Sequence, residues 1–268
     1  MLNTEVYGGA ILNSWFDRPL GISGRVILRT KGGVKTELVS LDKPMAIIAN
    51  APIHYRPELN TGVKNNPQID LIPLFKDRGS NVDLYSIIAK KYNFVKEDII
   101  SSDLFLHVLD RGCVGGADES LIIAPQIDNL ECSYAILESI KKCECNKNRI
   151  NVSAFFNSEE IGSQTINGAA SDLLSSVLER ISLSLGYKIV EHKILLANSF
   201  MLSIDNAQGF NPNYPSLYDP TNAVYLNNGV VIKSAARGSY ATNGLSLAIF
   251  EEICAKAKVK YQFNTNRT

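Results

Sequence analysis

The chain has 268 residues, 45% of them hydrophobic, enough to supply the core of one large domain or two ordinary ones. Its 27 basic and 27 acidic residues cancel, which excludes an overall field that draws it to nucleic acid or to an anionic membrane. No apolar run approaches the ~20 residues needed to cross a bilayer, and the start MLNTEVYGGAIL lacks the basic n-region and cleavage pattern of a signal peptide, so a cytoplasmic setting is expected.

The first hundred residues read as strand and loop. GRVILRTKGG is a strand entering a turn, and KPMAIIANAPIHYR a second strand interrupted by Pro52. GVKNNPQID, rich in Asn and Gly, is a surface loop. DLYSIIAKKYN predicts a helix: Leu84, Ile87, Ile88 and Tyr92 recur at helical spacing behind Asp83, a candidate N-cap. From about Asp103 the pattern changes to strands alternating with longer amphipathic helices, the mark of a layered α/β domain. DLFLHVLD and SLIIAPQID read as strands, LECSYAILESIKK as a helix and INVSAFF as a buried strand. GAASDLLSSVLERISLSLG carries Leu173, Leu174, Val177, Leu178, Ile181 and Leu185 on one broad helical face. NSFMLSID and GVVIKS are further strands, and NGLSLAIFEEICAKAK is a last helix starting near Asn243. The expected organisation is therefore a β-rich domain, residues 1–101, followed by an α/β domain, residues 102–268.

Cys113, Cys132, Cys143, Cys145 and Cys254 are odd in number and irregularly placed, which suits free thiols and not a disulfide framework. Cys143 and Cys145 form a CxC with no second Cys/His pair nearby, and are read as an exposed turn.

Three acidic positions share a context. Asp128, the pair Glu159 and Glu160, and Asp205 each fall where an apolar strand pattern gives way to turn residues. Strand ends and their following loops form the usual site crevice of open α/β sheets, so these carboxylates are candidates to converge. Four of them together would raise each other's pKa values, and divalent cations are the natural neutraliser. Adjacent glutamates on an irregular turn can divide the work, one binding metal while the other takes a proton from bound water. Taken singly, each position is better explained as a turn former or helix cap.

The flanking words decide between these readings. FFNSEEIGSQTINGAAS, APQIDNLECSYA and MLSIDNAQGFNPNYP, in that context, resemble the DNEEVGS-like, RLDNL-like and SxDxAHAxHPN-like motifs of the aspartyl aminopeptidase family, which are dinuclear zinc enzymes. YGGAILNSWFDRPLGISGRVIL and KSAARGSYATNG are similar to two further stretches of that family, so the resemblance spans essentially the whole chain. It implies a zinc-peptidase-like α/β catalytic domain joined to an N-terminal β-rich dimerisation domain. It also implies two divalent metal ions, zinc above all, with Asp128 bridging them, Glu160 and Asp205 each holding one, and Glu159 as the general base. A cis peptide between Asp128 and Asn129 is implied too. Lys233 and Tyr240 match residues near the family's substrate, and His54 matches a histidine that reaches a neighbouring subunit's active site. His107 and His192 match no motif and read as structural. The expected activity is removal of N-terminal residues, acidic ones included, from peptides, in a dimer-based homo-oligomer that reaches a dodecamer in family enzymes.

The sequence also departs from the family. The two histidine ligands expected near either end are not present, so the chain reads as a fragment, inactive by itself, and a non-catalytic assembly module is the competing expectation. Gln208 and Asn211 replace the two histidines of the SxDxAHAxHPN motif, which makes a neutral or broader substrate preference plausible.

Overall fold

The apolar alternation around Val26 does form a strand, β1 (Leu20–Thr30), which turns through Lys31 and Gly32 into β2 (Gly33–Ala46). A computed structural model describes residues 1–144 and 146–265 of the chain. The second strand thus starts ten residues earlier than its sequence pattern suggests and ends before Pro52. Val39 and Leu41 keep period two on the buried face, whereas Pro52 has no amide hydrogen to give to a ladder. Ala49 to Arg56 run instead as loop, after single bridges at Ile47 and Ile48. The Asn-rich segment read as a loop holds one helical turn, α1 (Pro67–Asp70), with Pro67 at its first position and Asn66 Oδ1 accepting from Gln68 N.

α2 (Leu84–Tyr92) lies where its periodicity predicts, and Asp83 caps it by accepting from Ser86 N at 3.0 Å. β3 (Ile99–Val108) then pairs antiparallel with the free side of β1, giving the order β2-β1-β3. Ile22, Val26, Val39 and Leu41 of the sheet pack with Ile88 and Ala89 of α2 and with Ile99 in one core. The boundary drawn at residues 101/102 falls inside β3, whose register with β1 runs from Ile99 to Val108. A short hairpin follows, β4 (Cys113–Gly115) with β5 (Leu121–Ile123).

By backbone proximity the chain forms two interleaved compact units. One is Met1–Pro125 with Ala154–Asn198, the other Gln126–Ser153 with the described residues from Ser199 onward. The first unit ends in two helices, α4 (Leu173–Ser184) and α5 (Ile189–Ala197). His192 is 2% exposed and its Nδ1 meets Ser182 Oγ at 2.9 Å, a packed polar pair. His107 Nδ1 meets Ser23 Oγ within the sheet.

The second unit holds α3 (Ile127–Lys142) and a βαβ element: β6 (Val230–Ser234), α6 (Gly244–Ala257) and β7 (Tyr261–Thr265), the strands parallel and in register from Val230↔Tyr261 to Ser234↔Thr265. Asn243 caps α6, its Oδ1 accepting from Leu245 N and Ser246 N. Two expected strands are not formed. INVSAFF and NSFMLSID carry no ladder, and Phe155 is 50% and Met201 73% exposed. A strand exists only beside a partner, and among the described residues none pairs with these two segments.

Candidate metal centre

Asp128 sits at the entry to α3, where the chain is not yet helical. Gln126 is left-handed at φ +61°, Asp128 (ψ 115°) and Asn129 (ψ 16°) lie outside helical geometry, and the peptide between the last two is cis, as the resemblance implies. The carboxylate is therefore offered from a turn, ahead of the regular helix. Glu131 and Cys132 follow on the first helical turn.

Asp205 belongs to the same unit, on the stretch expected as a strand. Lys233, near the end of β6, donates from Nζ to Asp205 Oδ2 at 2.5 Å and to Asn206 O at 2.6 Å, and lies 5.8 Å from the Tyr240 ring centroid. Asn206 in turn donates from Nδ2 to Glu131 Oε2 at 3.0 Å, which ties the Asp205 segment to α3. Burial pushes the Cys132 thiol above its ordinary value; Glu131, Asp205 and Asp128 push it the same way and Lys233 opposes them. Three carboxylates and one ammonium thus act on a single point.

That excess of negative charge suits a divalent ion, because carboxylate oxygens are natural ligands of hard and borderline cations. It is not a finished coordination shell: among the described residues, no three His, Cys, Asp or Glu side chains gather closely enough to hold a metal. Asn206 Oδ1 is also buried without a hydrogen-bond partner. It borders a cavity of about 210 Å³ that Gln208, Tyr218, Asp219, Lys233 and Tyr240 help to line. The Thr265 and Thr221 hydroxyls hold the Asp219 carboxyl well below the usual range, so this wall of the cavity is anionic and already hydrogen-bonded.

Glu159 and Glu160 are carried by the other unit. They occupy a single 3-10 turn, Glu159–Ile161, bracketed by left-handed residues: Ser158 at φ +65°, Gly162 at φ +96° and Ser163 at φ +59°. Gly162 N donates to Glu159 O and Ser163 N to Ser158 O, both at 2.9 Å. His54 lies in the same unit on an exposed loop, its ring tilted against Tyr55 at 4.3 Å between centroids. Cys143 is exposed, as the CxC reading expects; Cys145 lies outside the described residues.

Sequence reasoning missed two contributors. Glu131 stands three residues after Asp128, a helical spacing that a search for i, i+3 acidic pairs would have found. Asn206 carries no comparable signal of its own.

This architecture defines a class: the fold is the mixed α/β, zinc-peptidase-like one, and solved structures that share it include aminopeptidases. Residues 1–268, the whole chain, match the family described as aminopeptidase I zinc metalloprotease (M18), and the chain belongs to that family. A probable M18 family aminopeptidase 2 of Clostridium acetobutylicum is 40% identical over 273 residues, covering all of this chain and 63% of the relative. The chain spans about 63% of the length of such curated relatives. A cryo-EM structure of a complex of Ape4 and Nbr1 matches with a TM-score of 0.88 and 30% identity, over 98% of this chain and 55% of that one. The structure of the Saccharomyces cerevisiae mApe1 dodecamer matches with a TM-score of 0.76 and 26% identity, over 97% of this chain and 60% of that one.

Proposed function

We propose that the protein to which this chain belongs is an aminopeptidase that removes N-terminal residues from peptides with the help of two divalent metal ions. The observation that carries this reading is the match of the whole chain to a zinc aminopeptidase family, together with the contacts from Lys233 to Asp205 and from Asn206 to Glu131 that tie the Asp205 segment to the helix carrying Asp128. In the proposed division of labour Asp128 would be the ligand shared by both ions, and Glu160 and Asp205 would be ligands of one each. When bound, the ions polarise the carbonyl after the first residue of the peptide. Glu159 takes the proton from the attacking water and delivers it to the departing amine. Lys233 and Tyr240 supply a cation and a phenol to the substrate, either to a carboxylate or to the developing oxyanion.

Gln208 and Asn211 supply amides where the family motif has histidines, and the cavity beside Lys233 already contains Asp219, so a neutral or broad preference at the first residue fits better than a strictly acidic one. Dimerisation through the N-terminal β-rich part that holds β1 to β3 and catalysis by the residues that follow, with His54 serving a neighbouring subunit's site, complete the reading. The dodecamer seen for the yeast relative supports a homo-oligomer. No helix among the described residues is long and apolar enough to cross a membrane, and the reading places the site of action in the cytoplasm. The names of the relatives lend no support to a non-catalytic module.

The test uses the full-length protein. Glu159→Gln is expected to keep its metal and lose turnover of Leu, Asp and Glu p-nitroanilides by about 10²- to 10⁴-fold, whereas Asp128→Ala loses both. Unchanged turnover in Glu159→Gln removes the base from this scheme.

A further inference from the structure

The glutamate turn is held from outside by a residue that sequence reasoning treated only as part of a motif. Gly8, at φ +67°, lies so close to Glu160 that a Cβ built on it would stand 2.8 Å from Glu160 Cβ and 2.9 Å from the Glu160 carbonyl oxygen. Side-chain atoms do not tolerate such distances, so either residue 8 or Glu160 would have to move. Glu160 has little room to give: its turn is bonded through Gly162 N and Ser163 N and bracketed by left-handed residues. The same turn is packed still more tightly against Gly168, where a Cβ would fall 2.1 Å from Ser163 O. The Gly8 segment is itself anchored. Tyr7 meets Phe105 of β3 edge to face, with 5.6 Å between centroids. Gly9, the next residue, has nothing within 4 Å of its would-be Cβ.

We infer that Gly8 is a positioning residue for the Glu159–Glu160 pair: its bare α-carbon lets the Tyr7 segment seat directly under Glu160 and fixes where the carboxylates are presented to metal and water. The inference rests on the roles proposed for those glutamates. It makes neighbouring glycines unequal. Both would be read as turn formers from sequence, yet only one bears on the chemistry.

Gly8→Ala, Gly8→Asn and Gly9→Ala in the full-length protein test it, because Asn accepts a left-handed backbone and so isolates the Cβ contact from backbone strain. Zinc affinity by chelator competition, kcat and KM on Leu-p-nitroanilide, and the urea midpoint are measured for each. Both Gly8 variants are expected to lose about 10- to 100-fold in zinc affinity and kcat, with KM near the wild-type value and the folded baseline retained, while Gly9→Ala behaves as wild type. Gly8 variants that bind zinc and turn over normally overturn the inference, as does an equal loss in Gly9→Ala or the failure of both Gly8 variants to fold. A wild-type protein that neither binds zinc nor cleaves the substrate overturns the functional reading itself, which keeps the two failures apart.

Discussion

Lys233 is the residue on which the second unit's electrostatics turn. Its side chain is 17% exposed while that of Asp205 is 62% exposed, so their bond is solvent-screened on one side and its contribution to stability is about 1 kcal/mol or less. Lys233→Met is therefore expected to leave the urea midpoint almost unchanged while lowering kcat/KM by about tenfold or more; a large stability loss with normal turnover would reassign the residue to folding. The acid response of Asp83 runs differently. Hydrogen bonds from the Ser86 hydroxyl, then from Lys96, hold its carboxyl well below the usual carboxylate range. A depressed folded value contributes stability above the unfolded value of about 4 and loses it as pH falls toward the folded one. The gap in urea midpoint between wild type and Asp83→Ala should thus narrow on acidification from about pH 6 to about pH 3. At this scale the sequence was informative where chemistry is written in residue type. The cis Asp128–Asn129 bond followed from motif words, whereas the contacts of Gly8 and Asn206 are set by distances that no single residue announces.

Helices with caps were the most legible elements. Asp83 and Asn243 marked the starts of α2 and α6 because a short acceptor side chain at that place satisfies amides that the helix leaves open. Asn243→Ala is expected to cost about 1 kcal/mol in urea unfolding. Ile88, fully buried between α2 and the sheet, should cost about 2–5 kcal/mol as Ile88→Ala, and chemical denaturation of the two variants checks both figures. Strands were less legible for a physical reason: apolar character states that a segment can pair, not that a partner stands beside it. INVSAFF and NSFMLSID have the composition without the neighbour, and DLFLHVLD joined the first sheet instead of beginning a second. α5 was overlooked because its β-branched IVEHKILLA does not look helical until Lys188 N and Glu191 close its first turn.

At the scale of the whole molecule, large apolar side chains stand uncovered in each unit, Phe155 in one and Met201, Leu202 and Leu226 in the other, each about half exposed or more. The 268-residue chain expressed by itself is expected to bind the dye ANS and to self-associate, while the full-length protein sediments as a multiple of a dimer; a dye-silent monomeric chain would contradict the first half and a monomeric parent the second. The interleaving of the two units also sets an order of events during synthesis. α3 emerges from the ribosome carrying Asp128, but the segment that bears Asp205 and Asn206 follows only after the intervening stretch Ala154–Asn198. At ordinary elongation speeds that delay is roughly 4 to 15 seconds. During it the nascent helix has lost water on no face and can be captured by a chaperone or a neighbouring chain. Slowing translation after Asn198 should therefore lower soluble yield, whereas slowing it after the completed sheet of β1 to β3 should not.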